Sequence, residues 1–225
     1  MILSEENMRI FTAVLISAGC LQMATAATIT QYDRATFQTA LAAATLSGQN
    51  FDSLPLGNIT TVNGVTYTPS LGTALVTSTY LTTTGANGLG STSVGFFQIN
   101  ETLTITFGSA ITAFALDINT FAPNSGDYHA VVNDGSGSVI PSIFDVFPNT
   151  STGQFLGFTD SSPFTSIVIS ALLDSHTQTT YPYTVDTLVY GDAAAVSGVP
   201  EPSTLTMLGM GMAFAGLLAR RRKLL

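Results

Sequence analysis

Eleven carboxylates, two histidines and one arginine carry the charge and most of the acid–base chemistry between Ala27 and Val199. Nucleophilic catalysis needs a base beside the nucleophile, and His129 and His176 are the histidines on offer. No Gly-x-Ser-x-Gly elbow is present, and the sole cysteine, Cys20, leaves with an N-terminal export segment. His129 follows Tyr128 in a turn-like stretch and reads as a surface histidine. Zinc takes three or four closely spaced ligands, which two isolated histidines do not supply. A glycosidase pair could be drawn from the acids, but spacing selects none, and Trp, the usual sugar platform, is absent. The sequence therefore reads as non-catalytic, with a secreted hydrolase as the least favoured class.

Calcium is the metal chemistry that the composition allows. Hard oxygen donors are abundant, and an exported chain meets millimolar calcium. One candidate structural site joins Asp52, on the first main strand, with Asp186 on the last. The plainer alternative is that both side chains bond backbone amides at strand ends. A second candidate is Asn133-Asp134-Gly135 with Asp127, for which an ordinary hairpin turn is the simpler account. For sugar stacking, Tyr80 and Tyr181-Pro182-Tyr183 offer apolar faces with polar tips. The latter reads equally as a packed loop entering the last strand. Ice binding would need a flat, repeating array of threonines. Thr82-Thr83-Thr84 and Thr102, Thr104, Thr106 are short and do not repeat along the chain.

The C-terminal residues are more specific. Pro200 and Pro202 lack amide protons and push the residues before them towards extended geometry. Val199-Pro200-Glu201-Pro202 should thus be an extended, accessible strip. Ser203 to Ala219 carries no charge. As a helix it would span roughly 25 Å, short for a hydrocarbon core but within the range of a thin membrane. Gly209, Gly211, Ala213, Ala215 and Gly216 thin one side for close helix approach. Arg220, Arg221, Arg222 and Lys223 form a basic stop on the cytoplasmic side, which places the preceding chain outside the cytoplasm.

This order of motif, helix and cations resembles the PEP-CTERM sorting signal of Gram-negative bacteria. The resemblance implies recognition by an exosortase, removal or exchange of the tail, and a host that makes extracellular polysaccharide. Tails of this kind are also labelled ice-binding protein C-terminal domain, a label that by itself says nothing of ice.

The other terminus agrees with export. Ile10 to Ala18 is an apolar stretch after Met8-Arg9, and Ala24-Thr25-Ala26 is a small-residue cleavage site for signal peptidase after general secretion. Acidic Glu5 and Glu6 point to Met8 as the true start. A lipoprotein signal ending at Ser17-Ala18-Gly19-Cys20 is the competing reading. The expected organisation is a signal segment over 1–26, an ectodomain over 27–192, a linker over 193–198, and the sorting tail over 199–225.

Between the signals, eleven carboxylates face Arg34 alone, a net charge of −10 against −8 for the whole chain. Nucleic-acid binding needs cations along phosphates, so it is excluded. Anionic membranes and acidic polysaccharides are repelled unless divalent ions bridge them. Without cysteine no disulfide forms, and stability rests on the core or on bound metal.

The elements that must position these groups are mostly strands. Asp33 caps a short helix with Phe37, Ala40, Leu41 and Ala44 on one face. Ile59 to Val62 and Val65 to Thr68 flank Asn63-Gly64, a two-residue hairpin signal. Leu103, Ile105 and Phe107 alternate with threonines; Phe114, Leu116 and Ile118 alternate with Ala113, Ala115 and Asp117. Val131-Val132, Val139 to Phe147, Phe155 to Phe158, Ile167 to Ile169 and Val185 to Tyr190 continue the pattern. Turns are expected at Asn124-Ser125-Gly126, Asn133-Asp134-Gly135 and Ser161-Ser162-Pro163. Many short strands without intervening helices predict an all-β antiparallel sandwich, jelly-roll-like, with a short N-terminal helix and a C-terminal transmembrane helix.

The body from Tyr32 onward also resembles ectodomains that precede such tails. The matching residues include Asp33-Arg34-Ala35-Thr36-Phe37, an Asn50-Phe51-Asp52-Ser53-Leu54 strand, and Val185 to Gly191. Asp186 is similar to the Asp that opens the final strand of sugar-binding jelly rolls, which often hold a structural ion there. The functional expectation is an exported matrix or surface protein touching extracellular polysaccharide. The alternative is a carbohydrate-binding module with a defined sugar site.

Overall fold

The computed structural model of the chain describes residues 27–79, 82–92, 94–98, 100–120, 128–133, 136–145, 153–171 and 182–193. Two compact units separate at Ala193, and the second, Ala194–Leu225, lies outside the described residues. So do the expected signal cleavage at Ala24 and Ala26, the sorting residues 199–202, the anchor helix and the basic stop. Asp127, Asp134, His176, Tyr80 and Tyr181 lie outside them too. Among the described residues no helix is long and apolar enough to cross a membrane.

The described chain runs β1 (Ile29–Tyr32), α1 (Arg34–Ala40), β2 (Thr45–Gln49), β3 (Gly57–Asn58), β4 (Thr61–Val62), β5 (Val65–Pro69), β6 (Ala74–Thr77) and β7 (Gly88–Ser91). It continues through β8 (Leu103–Thr120), β9 (Tyr128–Val132), β10 (Val139–Pro141), β11 (Ile143–Phe144), β12 (Gln154–Ala171) and β13 (Tyr183–Asp192). Among the described residues every strand pairing is antiparallel.

Two strands of 18 residues each, β8 and β12, organise the domain. Along the first half of β8 the buried side chains are Leu103, Ile105 and Phe107; along the second every position from Ala113 to Asn119 is buried, with Phe114, Leu116 and Ile118 in the main core and Ala113 and Ala115 in the second cluster under the helix. Strand side chains alternate faces, so a switch from odd to even positions means the strand re-aims its inner face. Opposite this switch β12 shifts register between Thr159 and Phe164 and again before Ser166. Each long strand therefore serves two layers. The first half of β8 pairs with β5 and with the end of β12, which continues to β9 and β10. The second half of β8 pairs with the start of β12 and with β13, which is flanked by β7 and β2. Tyr128 of β9 meets Tyr183 of β13 with ring centroids 5.0 Å apart, and Phe51 meets Tyr67 of β5 at 5.6 Å, so the layers face each other. The all-β antiparallel sandwich is confirmed, with strands expected as separate segments running continuously through both layers.

Local expectations resolve individually. Asp33 caps α1, its Oδ1 accepting the Thr36 N–H at 2.7 Å. Asn63 (φ 50) and Gly64 (φ 80) make the hairpin turn between β4 and β5, with both φ positive as a two-residue turn that follows strand twist demands. Ser161-Ser162-Pro163 is no turn. It is a bulge within β12, where Asp160 Oδ1 accepts the Ser162 N–H at 2.8 Å and Thr28 O accepts the Ser161 N–H at 3.1 Å. Pro163 has no N–H to leave unsatisfied. The run from Val139 breaks at Ser142, and Asn50 to Leu54 is a turn after β2 in place of a strand. Phe51 there has φ 60, and Leu54 N–H donates back to Phe51 O at 3.0 Å.

The helix covers the outer face of the second layer. Phe37 and Leu41 are buried against Ala113, Ala115 and Phe155. The small alanines let the helix approach, and a Cβ on Gly157 would collide with the Phe155 ring. Burying one such Phe contributes about 2–3 kcal/mol.

Candidate functional site

The polar features of the domain converge where β13 exchanges neighbours. Val185 pairs with Leu89 of β7, whereas from Leu188 onward β13 pairs with β2. Between these the pairing with β8 also slips, from Asp186 opposite Asp117 to Val189 opposite Ala115. The chain crosses this seam as a bulge with Thr187 at φ 46. A β-branched residue in the left-handed region is a true outlier, and such strain clusters at ligand clamps and active sites.

Asp186 is buried, its Oδ2 accepting the Thr84 N–H at 3.0 Å and the Thr84 hydroxyl at 3.1 Å. Oδ1 is buried and makes no hydrogen bond. Burial pushes its pKa up to about 6; the facing Asp117 adds to this, and the Thr84 and Thr187 amides oppose it. Asp52 reaches the same loop from the other side of the seam. Its Oδ1 accepts the N–H groups of Ala86 at 2.9 Å and Asn87 at 3.1 Å. The two acids singled out in the sequence thus pin one segment, residues 84–87, through its backbone. Gly85 between them has φ 50, and a Cβ there would overlap the Asp52 carboxylate. Among the described residues no group of three or more His, Cys, Asp or Glu is placed to hold a metal ion.

Beside the seam lies Arg34, at the start of α1. Its Nη2 and Nη1 grip Asp117 at 2.6 and 3.2 Å, and its Nε donates to Asp145 at 2.7 Å. The guanidinium also lies 4.8 Å from the Phe155 ring centroid. Burial works against its charge, but the two carboxylates outweigh this and raise its pKa. Burial likewise pushes Asp117 up, with Arg34 pulling it back. Arg34, the one cation in the sequence between residues 27 and 199, is committed to these two acids.

Two cavities flank the bulge, and Thr187 and Val189 line both. One, of about 240 Å³, is walled by Phe37, Leu41, Leu46 and Phe155 beside Arg34. The other, of about 410 Å³, is lined by Gln49, Asn50, Ser53, Asn63 and Thr84. Asn63 Nδ2 donates to Gln49 Oε1 at 2.8 Å, fixing that pair. Sequence reading found the acids that brace this groove and missed its lining. Asn63 and Asn50 were marked for a hairpin turn and a strand, not as lining, and Gln49 at the end of β2 carries no motif.

The remaining singled-out residues lie elsewhere. His129 sits on β9, half-buried, and burial lowers its pKa. Tyr183 is fully buried and donates its hydroxyl to Glu101 O at 3.3 Å, so it packs in the core. Threonines scattered in sequence align across strands on the outer face of the first layer. Register puts Thr61, Thr66, Thr106 and Ser166 in one row and Thr68, Thr104 and Val168 in the next.

An antiparallel β-domain followed by a C-terminal protein-sorting signal is the class that fold and tail define. The PEP-CTERM protein-sorting motif is matched over residues 198–223, and the chain carries that signal. No curated protein matches the sequence. Among solved structures, the catalytic domain of a mutant GH87 α-1,3-glucanase in complex with nigerose is 14% identical, with a TM-score of 0.37. The alignment covers 70% of this chain but 30% of that one. A mutant of CBM29-2, a family 29 carbohydrate-binding module, is 12% identical with a TM-score of 0.32, over 70% of this chain and 99% of that one. Likenesses this distant carry no functional weight.

Proposed function

We propose that this is an exported, exosortase-sorted surface protein whose β-domain resides in the extracellular polysaccharide and does no catalysis. The sorting motif over residues 198–223 carries the proposal. The domain's chemistry supports the non-catalytic part. Among the described residues Asp117 and Asp186 stand opposite each other on β8 and β13, and both are sealed from solvent. A scissile oxygen needs direct access to such carboxylates. The amide-lined groove supports a second reading, a carbohydrate-binding module with one defined site. Localisation after processing would be the cell surface or the surrounding matrix of a Gram-negative bacterium.

The test is made in a host with an active exosortase. Wild-type chain should appear outside the cell without its tail. Changing Glu201→Ala together with Pro200→Ala should leave unprocessed precursor in the inner membrane. Release of the doubly substituted chain at the wild-type level would refute sorting through this motif.

A further inference from the structure

We infer that the bulge of β13 is the floor of a binding site for a neutral sugar bearing a small apolar substituent, of the acetyl or methyl kind. The inference rests on the matrix reading above and names the site through which it would act. The larger cavity presents amides and hydroxyls with no charged side chain among its lining. An amide offers both donor and acceptor, the complement of a sugar hydroxyl, which does the same. Nothing there attracts an ion: Asp52 and Asp186 are bonded to the backbone of the 84–87 loop, and Arg34 is held by Asp117 and Asp145. An acidic sugar would therefore have to compete with these two carboxylates for Arg34, which lines the adjoining cavity.

The adjoining cavity differs in kind. Phe37, Leu41, Leu46 and Val189 give it an apolar wall, and its volume of about 240 Å³ admits a small substituent with room to spare. Binding pockets combine such walls with a few placed polar groups that fix orientation. A polar ring over Asn50 and Thr187, with its substituent against Leu46, uses both halves at once. The strained Thr187 is the shared wall, and its unusual backbone thereby acquires a purpose, since it turns the side chain into the junction.

The experiment is a titration of the full chain in detergent, followed by ligand-observed NMR. The probes are the methyl glycosides of N-acetylglucosamine and of glucose. The acetylated probe should bind about tenfold more tightly, the scale of one added apolar group in a pocket. Asn50→Ala should weaken it about tenfold, the size of one lost hydrogen bond, and Thr187→Gly, whose hydroxyl is buried, should weaken it through loss of the wall that both cavities share. Asn50→Ala, at an exposed position, should keep the wild-type melting midpoint, and Thr187→Gly should keep or exceed it, since glycine relieves φ 46. Unchanged affinity in both variants, or equal binding of both probes, would overturn the inference. Retention on extracted matrix polysaccharide separates the two readings. A matrix that holds wild type and both variants equally leaves the matrix role standing and sinks the groove; a matrix that holds none of them sinks both.

Discussion

Asp186 carries its charge at a cost. Buried beneath Thr84 and opposite Asp117, it has a folded-state pKa of about 6 where the unfolded chain has 3.8. The folded state therefore binds the proton more tightly, and stability falls as pH rises through that interval. The contribution is fully present below about pH 4 and is lost by neutral pH, a difference of about 3 kcal/mol. Asp186→Asn keeps an acceptor for the Thr84 N–H without the charge. It should raise the melting midpoint at neutral pH, match wild type near pH 4, and flatten the slope between. A lower midpoint at neutral pH would mean that the charge itself is needed by the loop. Arg34 behaves oppositely. It compensates Asp117, so removing it would strand a buried carboxylate, the costly way to break such a pair.

The 84–87 loop depends on one glycine. Gly85 sits at φ 50 with no room for a Cβ beside Asp52, so Gly85→Ala meets both a conformational penalty and a collision. The expected loss is about 2–3 kcal/mol, read as a shift in the urea midpoint with unchanged slope. A shift under about 0.5 kcal/mol would show that Asp52 does not hold the loop. How much of this was legible follows from range. The Asp33 cap and the Asn63-Gly64 turn are decided by neighbouring residues and read directly. The odd-to-even switch between Phe107 and Phe114 is likewise visible as pattern, and it proved to be a strand changing layers. Ser161-Ser162-Pro163 carries turn residues, but its neighbours on both sides pair with the same partner strand, β8, and only that pairing makes it a bulge. The seam was not legible at all. It exists because β13 meets β7 and β2 from nearly a hundred or more residues upstream, and no local signal records that change of partner. The threonine rows were missed for the same reason, since their members come from β4, β5, β8 and β12.

At the scale of the whole chain, the cations are unevenly distributed. Four of the six cations lie in the segment matched as the sorting signal, and Arg9 lies near the start, leaving Arg34 for residues 27–199. Because Arg34 is bound to Asp117 and Asp145, the domain offers no cationic surface to an anionic partner. Its net charge of −10 should instead repel one, within a screening distance of about 8 Å at physiological salt. Retention on matrix polymers should then sort by polymer charge. On a neutral polysaccharide it should be insensitive to salt, as expected for hydrogen bonds and apolar contact. On an acidic polysaccharide it should be absent in chelator and appear with millimolar calcium, through bridging between carboxylates on both partners. Affinity electrophoresis in gels cast with each polymer reads this directly, with chelator and calcium lanes side by side. The same lanes, followed by a thermal melt, report on Asp52 and Asp186: a structural ion between them would raise the midpoint in calcium, whereas bridging at the surface would leave it unchanged. Binding to the acidic polymer in chelator, weakening as salt is added, would contradict the charge argument, because it requires cations that the domain does not have to spare.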